Sequence, residues 1–286
     1  NLVDNPRRLQ WSGRNDTTYW TAGSRDSDYQ DFPDGGFVNG MSPLETGLVF
    51  QEGAIRRIVP SGGREIFSFA RVEDARGLLA QNSLTFIGRV ALYLSEDGFM
   101  ATDGSGASKP IGADKVDKWF QSQVEYDRQY AVIGASDPVR PRAYWLFPTV
   151  GNETYLLDHV LCYDFALDRW THAEVTASYI FPGAVPGVTL DGLDAAYPAY
   201  TLDTLPFSLD SRFLNGGAPY LAAFNSDNKL AFFSGTNMAV TLETADFQAI
   251  PGRRAFVRGI RPLTDAANVT VQVGAKESPQ GTLTYG

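Results

Sequence analysis

Residues 91–120 read ALYLSEDGFMATDGSGASKPIGADKVDKWF and hold one complete structural unit, from which the fold class can be inferred. Apolar residues, among them Leu94 and Phe99, flank the sequence Ser-Glu-Asp-Gly at residues 95–98. Asp-Gly is favoured in tight hairpin turns because glycine accepts positive φ. A second turn, at residues 103–106, follows directly. The stretch therefore predicts a β-hairpin in an all-β protein.

A short helix is predicted immediately after this hairpin. From Asp114 onward, helical spacing places Val116, Phe120 and Val124 on one face. We expect helix in this chain to be confined to one such brief segment. Trp119 and Phe120, at the end of the helical face, are predicted to be packed side chains.

Hairpin sequence recurs along most of the chain. In each case two apolar or alternating runs are joined by a short, turn-rich segment. The predicted elements are strands 47–50 and 54–59 around a turn at 51–53, the alternating strand 64–72, strands 142–147 and 155–165 around 151–152, and the hairpin 221–233 around 225–228. At the N-terminus, residues 8–20 predict one strand and a turn, and the polar residues 23–40 predict a long loop.

The spacing of equivalent hairpins predicts a β-propeller-like array. Phe50, Leu94 and Phe147 recur at intervals of about 44 and 53 residues, which are typical lengths for one four-stranded propeller blade. The next interval is longer and contains the Asp- and Pro-rich segment 187–212, which we interpret as an irregular insertion. The sequence YDFALDRW at residues 163–170 resembles a kelch blade edge, in which the tryptophan packs between blades.

A change of pattern after residue 238 predicts two domains. Residues 1–238 form the expected propeller-like domain, and residues 239–286 form either a last blade or a small additional β-module. Alternating runs predict C-terminal strands at 242–247, 255–263 and 269–273. The chain begins without methionine and stops within strand-like sequence, which is compatible with a fragment of a longer protein.

Composition and charge narrow the class of protein. The 286 residues include 28 Gly and 16 Pro, which suits many short strands joined by turns. No apolar run approaches the roughly 18 residues that a membrane span needs, and no signal-peptide pattern opens the chain, so we expect a soluble protein without a membrane-spanning segment. A net charge of −9 argues against a protein that binds nucleic acid by neutralising phosphates. The single cysteine, Cys162, is predicted to be a small core residue.

Candidate catalytic and metal-binding motifs are weak throughout. His159 and His172 lack ligands at zinc-site spacing, no Gly-x-Ser-x-Gly elbow is present, and residues 104–109 lack the pattern of a phosphate loop. Four aspartates in the insertion leave a calcium site as an alternative to ordinary turn residues: Asp191, Asp194, Asp203 and Asp210. We therefore expect no catalytic residue, metal or cofactor.

One dense basic patch stands out in this acidic chain. It consists of Arg253, Arg254, Arg258 and Arg261. These arginines either protect an edge strand as solvated charges or meet an acidic neighbouring subunit. Neither interpretation is favoured by the residues alone.

Several long blocks resemble a family of tailed-phage virion proteins. The blocks are WSGRNDTTYW at 11–20, SDYQDFPDGG at 27–36, VFQEGAIRRI at 49–58, YLSEDGFMATDG at 93–104, PIGADKVDKWF at 110–120 and ETADFQAIPGRRAFVRGIRPL at 243–263. Members of this family are tail or head-tail structural proteins, similar in role to the nozzle, or tail tubular protein B, of short-tailed phages. The resemblance implies a propeller-containing subunit of a hexameric ring around the DNA ejection channel.

That resemblance also implies the partners and the location of the protein. Expected partners are further copies of this chain and other tail or head-tail adaptor proteins, with double-stranded DNA passing through without sequence-specific binding. The protein would reside in the virion after assembly in the host cytoplasm. The arginine patch would face a neighbouring subunit or tail partner, so replacing Arg254 and Arg258 by glutamate should hinder assembly. A receptor- or carbohydrate-binding propeller and a propeller glycosidase remain as alternatives.

Overall fold

Strands dominate the described part of the chain, which confirms the predicted all-β class. A computed structural model describes residues 4–43, 47–62, 65–184, 189–201, 203–205, 219–233, 241, 250, 258–263, 269–276 and 281–285. The chain divides into two compact units, Asn1–Ser234 and Gly235–Gly286. Each unit is described separately below.

The first unit contains most of the regular structure. Its strands are β1 (Arg8–Trp11), β2 (Asp28–Asp31), β3 (Val38–Met41), β4 (Leu48–Gln51), β5 (Ile55–Pro60), β6 (Phe67–Glu73), β7 (Thr85–Ile87), β8 (Val90–Ser95), β9 (Gly98–Thr102), β10 (Lys109–Pro110), β11 (Ile133–Ser136), β12 (Arg142–Phe147), β13 (Leu157–Asp164), β14 (Arg169–Ala177), β15 (Tyr179–Ala184), β16 (Pro219–Phe224) and β17 (Leu230–Phe232). Its helices are α1 (Asp117–Gln123), α2 (Leu190–Ala196) and two 3-10 turns, Gln81–Ser83 and Tyr126–Ala131.

Four consecutive antiparallel meanders organise these strands. Sheet I is β3-β4-β5-β6, sheet II is β7-β8-β9-β10, sheet III is β11-β12-β13-β14, and sheet IV is β15-β16-β17. In every sheet, neighbours in sequence are neighbours in space, so short turns make almost all the connections within a sheet. All of the predicted hairpins are confirmed: β4 pairs with β5, β12 with β13, and β16 with β17.

The hairpin of residues 91–120 is formed by β8 and β9. Ser95 pairs with Gly98, and Glu96 and Asp97 form the turn between them. Gly98 has a φ of 115°, a backbone conformation that residues with a side chain rarely adopt. The glycine of the Asp-Gly pair is therefore needed at the first position of the returning strand.

Sheet II is buried on both faces because sheets I and III pack against it. Successive side chains of a strand point to opposite faces. Leu92 and Leu94 of β8 belong to the core shared with sheet III, and Ala91 and Tyr93 belong to the core shared with sheet I. Burial on two faces explains why β8 reads as a nearly continuous apolar run.

Sheet III repeats this arrangement one layer further along the chain. Trp145 and Phe147 of β12 lie in the core shared with sheet II, whereas Leu146 lies in the core shared with sheet IV. On sheet IV, Ile180 and Ala223 complete that last core. The four sheets therefore stack face to face in chain order.

Helix α1 closes the core between sheets II and III. Val116, Phe120 and Val124 are all buried there, which confirms the predicted helical face. Trp119 is only half-buried, and its ring lies 4.5 Å from the ring of His172. The helix itself begins at Asp117, since the preceding residues form turns.

Trp170 packs between two sheets, as the kelch-like sequence predicted. Its ring stacks on Trp145 of the same sheet at a centroid distance of 5.5 Å and lies 5.1 Å from Phe99 of sheet II. Its indole N–H donates to the carbonyl of Ile111, 3.1 Å away. Trp170 thus links sheets II and III through both apolar and polar contacts.

Two sequence-based expectations about the secondary structure of the first unit were wrong. The predicted loop 23–40 contains β2 and the start of β3, because β2 pairs with β1 and is held by the Arg8–Asp31 ion pair at 2.7 Å. The expected single helix is joined by α2 within the insertion 187–212, where the Thr189 hydroxyl accepts a hydrogen bond from the N–H of Gly192. A side-chain cap of this kind stabilises a short helix end.

The second unit shows little regular structure in its described residues. Residues 242–247, predicted as a strand, lie outside the described residues. Residues 258–263 and 269–273 do not form the predicted strands; instead β18 (Gly274–Ala275) pairs with β19 (Thr284–Tyr285). The side chains of 258–263 are exposed, so the apolar residues of this alternating pattern are not packed on a core. Without such packing, alternation alone does not stabilise a strand.

A buried carboxyl holds the hairpin against α1. Asp117 is almost fully buried, and its Oδ1 accepts a hydrogen bond from the N–H of Phe99 at 3.2 Å. The carboxyl fits because glycines surround it: a Cβ on Gly112 would lie 1.9 Å from Oδ1, and one on Gly98 would lie 2.4 Å from Oδ2. Burial raises the pKa of Asp117.

This raised pKa predicts a specific pH dependence of stability. The folded chain holds the Asp117 proton more tightly than the unfolded chain, so the stabilising contribution is present at low pH and is lost as pH rises through the folded-state pKa. The Asp117→Asn variant cannot ionise at this position. We therefore expect its stability relative to the unmodified protein to increase as the pH rises from about 4 to about 7. Urea midpoints across this range measure the effect, with the exposed Asp114→Asn as the matched control. Parallel pH profiles for the protein and Asp117→Asn would contradict it.

Candidate interaction surfaces

The predicted arginine patch is only partly within the described residues. Arg258 and Arg261 lie in the second unit and are exposed, and Arg253 and Arg254 lie outside the described residues. Ile260 and Leu263, which alternate with these arginines, are also exposed, at 50% and 87%. The segment therefore presents both cationic and apolar groups to solvent.

The weak metal and catalytic candidates are not brought together in the described part of the fold. His159 is half-buried on β13 beside Phe147, whereas His172 on β14 is exposed against Trp119. Three of the four insertion aspartates, Asp191, Asp194 and Asp203, are exposed, and Asp210 lies outside the described residues. Within the described ranges, no group of three His, Cys, Asp or Glu side chains is arranged to hold a metal ion.

Cys162 is half-buried on β13 instead of lying in the core as predicted. Its paired neighbour on β14, Thr171, is exposed, and its neighbour on β12, Tyr144, is half-buried, so this part of sheet III is incompletely covered. Burial raises the pKa of the Cys162 thiol. A raised pKa disfavours the thiolate, and Cys162 therefore lacks the character of an activated nucleophile.

A buried polar network joins sheets I and II. The Glu73 carboxylate accepts the Ser108 N–H at 2.8 Å, and the Tyr93 hydroxyl donates to Ser108 Oγ at 2.8 Å. Burial raises the pKa of Tyr93, so its hydroxyl remains a hydrogen-bond donor. Because these groups satisfy one another between two sheets, we interpret the network as structural.

An open groove of about 560 Å³ lies beside the N-terminal strand pair. Its walls include Arg7, Arg8, Asp31 and Phe37. Arg8 is paired with Asp31, and its guanidinium stacks 3.7 Å above the ring of Tyr29. Within this groove, the charge of Arg8 is thus already neutralised by Asp31.

Among the described residues of the first unit, the most exposed aromatic side chains occur on two neighbouring segments. We call this surface the tyrosine platform: Tyr126 (79% exposed), Tyr130 (68%), Val150 (64%) and Tyr155 (69%). Tyr126 and Tyr130 belong to the 3-10 turn after α1, and Val150 and Tyr155 belong to the loop between β12 and β13. Exposed tyrosines and buried ones look alike in sequence, so pattern reasoning missed this surface.

Hydrogen bonds fix the two segments of the platform together. The Glu125 N–H donates to the Pro148 carbonyl at 3.0 Å, and the Val150 N–H donates to the Gln123 carbonyl at 2.8 Å. The guanidinium of Arg128 reaches the Asn152 carbonyl at 2.6 Å. The tyrosines therefore stand on a backbone that is already ordered.

The surroundings of the tyrosine platform are acidic. Within its two segments, residues 123–131 and 148–156, the sequence has three acidic residues, Glu125, Asp127 and Glu153, and one basic residue, Arg128. Asp127 and Glu153 are exposed and form no ion pair with any residue that the structure describes. The two hydrogen-bonded segments of the platform therefore carry both exposed aromatic rings and exposed carboxylates.

A second apolar surface is the outer face of sheet IV. Cross-strand pairing places Tyr179 opposite Phe224, and Phe224 opposite Leu230, on the face turned away from sheet III. Phe181 lies 5.3 Å from Phe224, and Tyr220 lies 6.0 Å from Phe232, both as ring centroid distances. This face therefore presents partly exposed aromatic and aliphatic side chains.

No protein-family model matches this chain, and no curated protein matches its sequence. Across the described ranges, none of the helices has the length and apolar character needed to cross a membrane. The function is therefore proposed from the sequence, the fold and the surfaces of this chain.

Proposed function

We propose that this chain is a structural, non-enzymatic subunit of a bacteriophage tail, of the nozzle or tail-hub type, that forms a ring around the DNA ejection channel. The observation that carries the proposal is the stack of four consecutive meander sheets, each packed on the next in chain order. This architecture fits the family to which long blocks of the sequence bear a resemblance. The ring would be a hexamer of this chain, bound to other tail or head-tail adaptor proteins.

We further propose that the stacked sheets are blades of a β-propeller. In a propeller, four-stranded meanders are arranged radially around a central channel. Two features support this arrangement: β11, the first strand of sheet III, contacts both β7 and β15, the first strands of the adjacent sheets. The apolar outer face of sheet IV is also suited to receiving a further sheet.

The acidic balance supports a channel through which DNA moves without being held. Each phosphate contact made by an arginine or lysine adds affinity that must be broken as DNA advances. A net charge of −9 is consistent with acidic or neutral side chains facing the lumen. Duplex DNA would then pass without sequence-specific binding.

Electron microscopy of the purified chain tests this proposal. We expect class averages of a ring with axial symmetry, a particle mass of about six subunits, and no tight binding of duplex DNA at physiological salt. A receptor- or carbohydrate-binding propeller and a propeller glycosidase need no ring. The proposed role would be overturned if the protein stayed monomeric at every concentration tested, or if it bound duplex DNA tightly at physiological salt.

A further inference from the structure

We propose that the tyrosine platform is a contact between subunits and that it receives the exposed arginine-bearing segment 258–263 of a second copy of this chain. The inference rests on the proposed function, because it names the interface by which the ring would close. It assigns a binding partner to Tyr126, Tyr130 and Tyr155, whose side chains are mostly exposed in the first unit. It also assigns a role to Arg258 and Arg261.

The platform has the physical properties of a binding surface. Tyrosine is enriched among the residues that dominate protein interfaces, because it buries a large ring and retains a polar hydroxyl. Tyr126, Tyr130 and Tyr155 are each more than two-thirds exposed, although hydrogen bonds order the backbone beneath them. An ordered backbone lowers the entropy lost on binding. Three mostly exposed rings on a hydrogen-bonded backbone are therefore available to a partner.

Charge indicates which partner the platform fits. Asp127 and Glu153 are exposed beside the tyrosines and form no ion pair among the described residues, and they would repel a nucleic acid. An arginine satisfies both features, since it pairs with carboxylates and stacks on aromatic rings. The expected partner is thus a protein segment that carries arginines between apolar residues.

The same chain presents such a segment on its second unit. Arg258 and Arg261 are exposed, and Ile260 and Leu263 alternate with them, so the segment offers two cations and two apolar side chains. Because the platform and the segment are different surfaces of one chain, their contact between copies is head-to-tail. Head-to-tail contacts produce closed rings when the rotation between subunits closes. A second copy therefore supplies the complementary charge through a head-to-tail contact, the type of contact that can close a ring.

Variants of the full chain on both sides of this contact provide the test. Tyr126→Ser with Tyr130→Ser removes rings from the platform, and Arg258→Glu with Arg261→Glu reverses the charge of the segment. We expect each pair to raise the concentration needed for assembly at least about tenfold. Mass photometry and electron microscopy measure assembly, and circular dichroism confirms that each variant folds. Val139→Ser, which alters another exposed apolar residue, is the matched control and should assemble normally.

A charge swap makes the test specific. Combining Asp127→Arg and Glu153→Arg with Arg258→Glu and Arg261→Glu should restore assembly, because the complementary charges are exchanged between the two surfaces. If the unmodified chain does not assemble, the proposed function itself fails. If it assembles but the variants assemble equally well, the ring stands and the assigned interface is wrong. Loss of assembly in the platform variant alone would overturn the choice of the arginine segment as its occupant.

Discussion

Replacing Trp145 by alanine is expected to lower the free energy of unfolding by about 3–5 kcal/mol. The side chain has no exposed surface and lies at the centre of the core between sheets II and III. Its ring lies 4.8 Å from Phe99 and 5.5 Å from Trp170, and its indole N–H donates to the Ser83 carbonyl at 2.9 Å. Truncation would leave a cavity and an unpaired carbonyl at the same place.

Thermal and urea unfolding measure this loss. A domain the size of the first unit should lose roughly 6–20 °C of melting temperature for that change in free energy. Trp145→Phe retains most of the ring but not the hydrogen bond, so its loss should be intermediate. Leu167→Ala, at a side chain 68% exposed in the turn between β13 and β14, should have little effect. An unchanged melting temperature for Trp145→Ala would show that sheets II and III do not share this core.

Replacing Gly77 by alanine is expected to destabilise the chain by about 1–3 kcal/mol or more through steric conflict. A Cβ at this position would lie 2.1 Å from the carbonyl oxygen of Gln51 and 2.2 Å from that of Glu52. Both atoms are backbone atoms, one at the end of β4 and one in the turn that follows, so neither can rotate away as a side chain could. The linker between β6 and β7, which contains Gly77, would have to move away, and this would break the 2.8 Å hydrogen bond from the Leu78 N–H to the Gln51 carbonyl.

A matched glycine separates this steric effect from a general intolerance of glycine replacement. A Cβ at Gly106 would have no neighbouring heavy atom within 4 Å, so Gly106→Ala should leave stability unchanged or slightly increased. Urea unfolding of both variants gives the comparison. Equal midpoints for Gly77→Ala and Gly106→Ala would mean that the linker does not approach the β4–β5 turn as described.

Local elements of this fold were predictable because their determinants are close together in sequence. The Ser95–Gly98 turn requires a residue that tolerates positive φ, and the glycine is visible in the sequence. The helical face of Val116, Phe120 and Val124 follows from the helical repeat, and all three side chains are buried. In each case a few neighbouring residues carry the whole physical requirement.

Elements that depend on distant partners were predicted less well. The strand β2 lies in polar, turn-rich sequence and forms because β1, about 20 residues earlier, offers both a backbone edge and Arg8. At the other end of the chain, alternation predicted strands over 255–263 and 269–273. The described residues of these ranges, 258–263 and 269–273, are exposed and form no strand. Alternation alone does not create a strand, because a strand also needs a partner edge and a face to bury.

The sequence by itself determined the all-β class, the hairpins and the short helix α1, since turn chemistry and side-chain periodicity act over a few residues. Only the tertiary structure decided that Leu94 faces sheet III while Tyr93 faces sheet I, and that Tyr126 and Tyr155 stand exposed on one ordered surface. Burial is a property of the neighbours that surround a side chain. Those neighbours come from other sheets and loops, and their positions are fixed when the four meanders pack together.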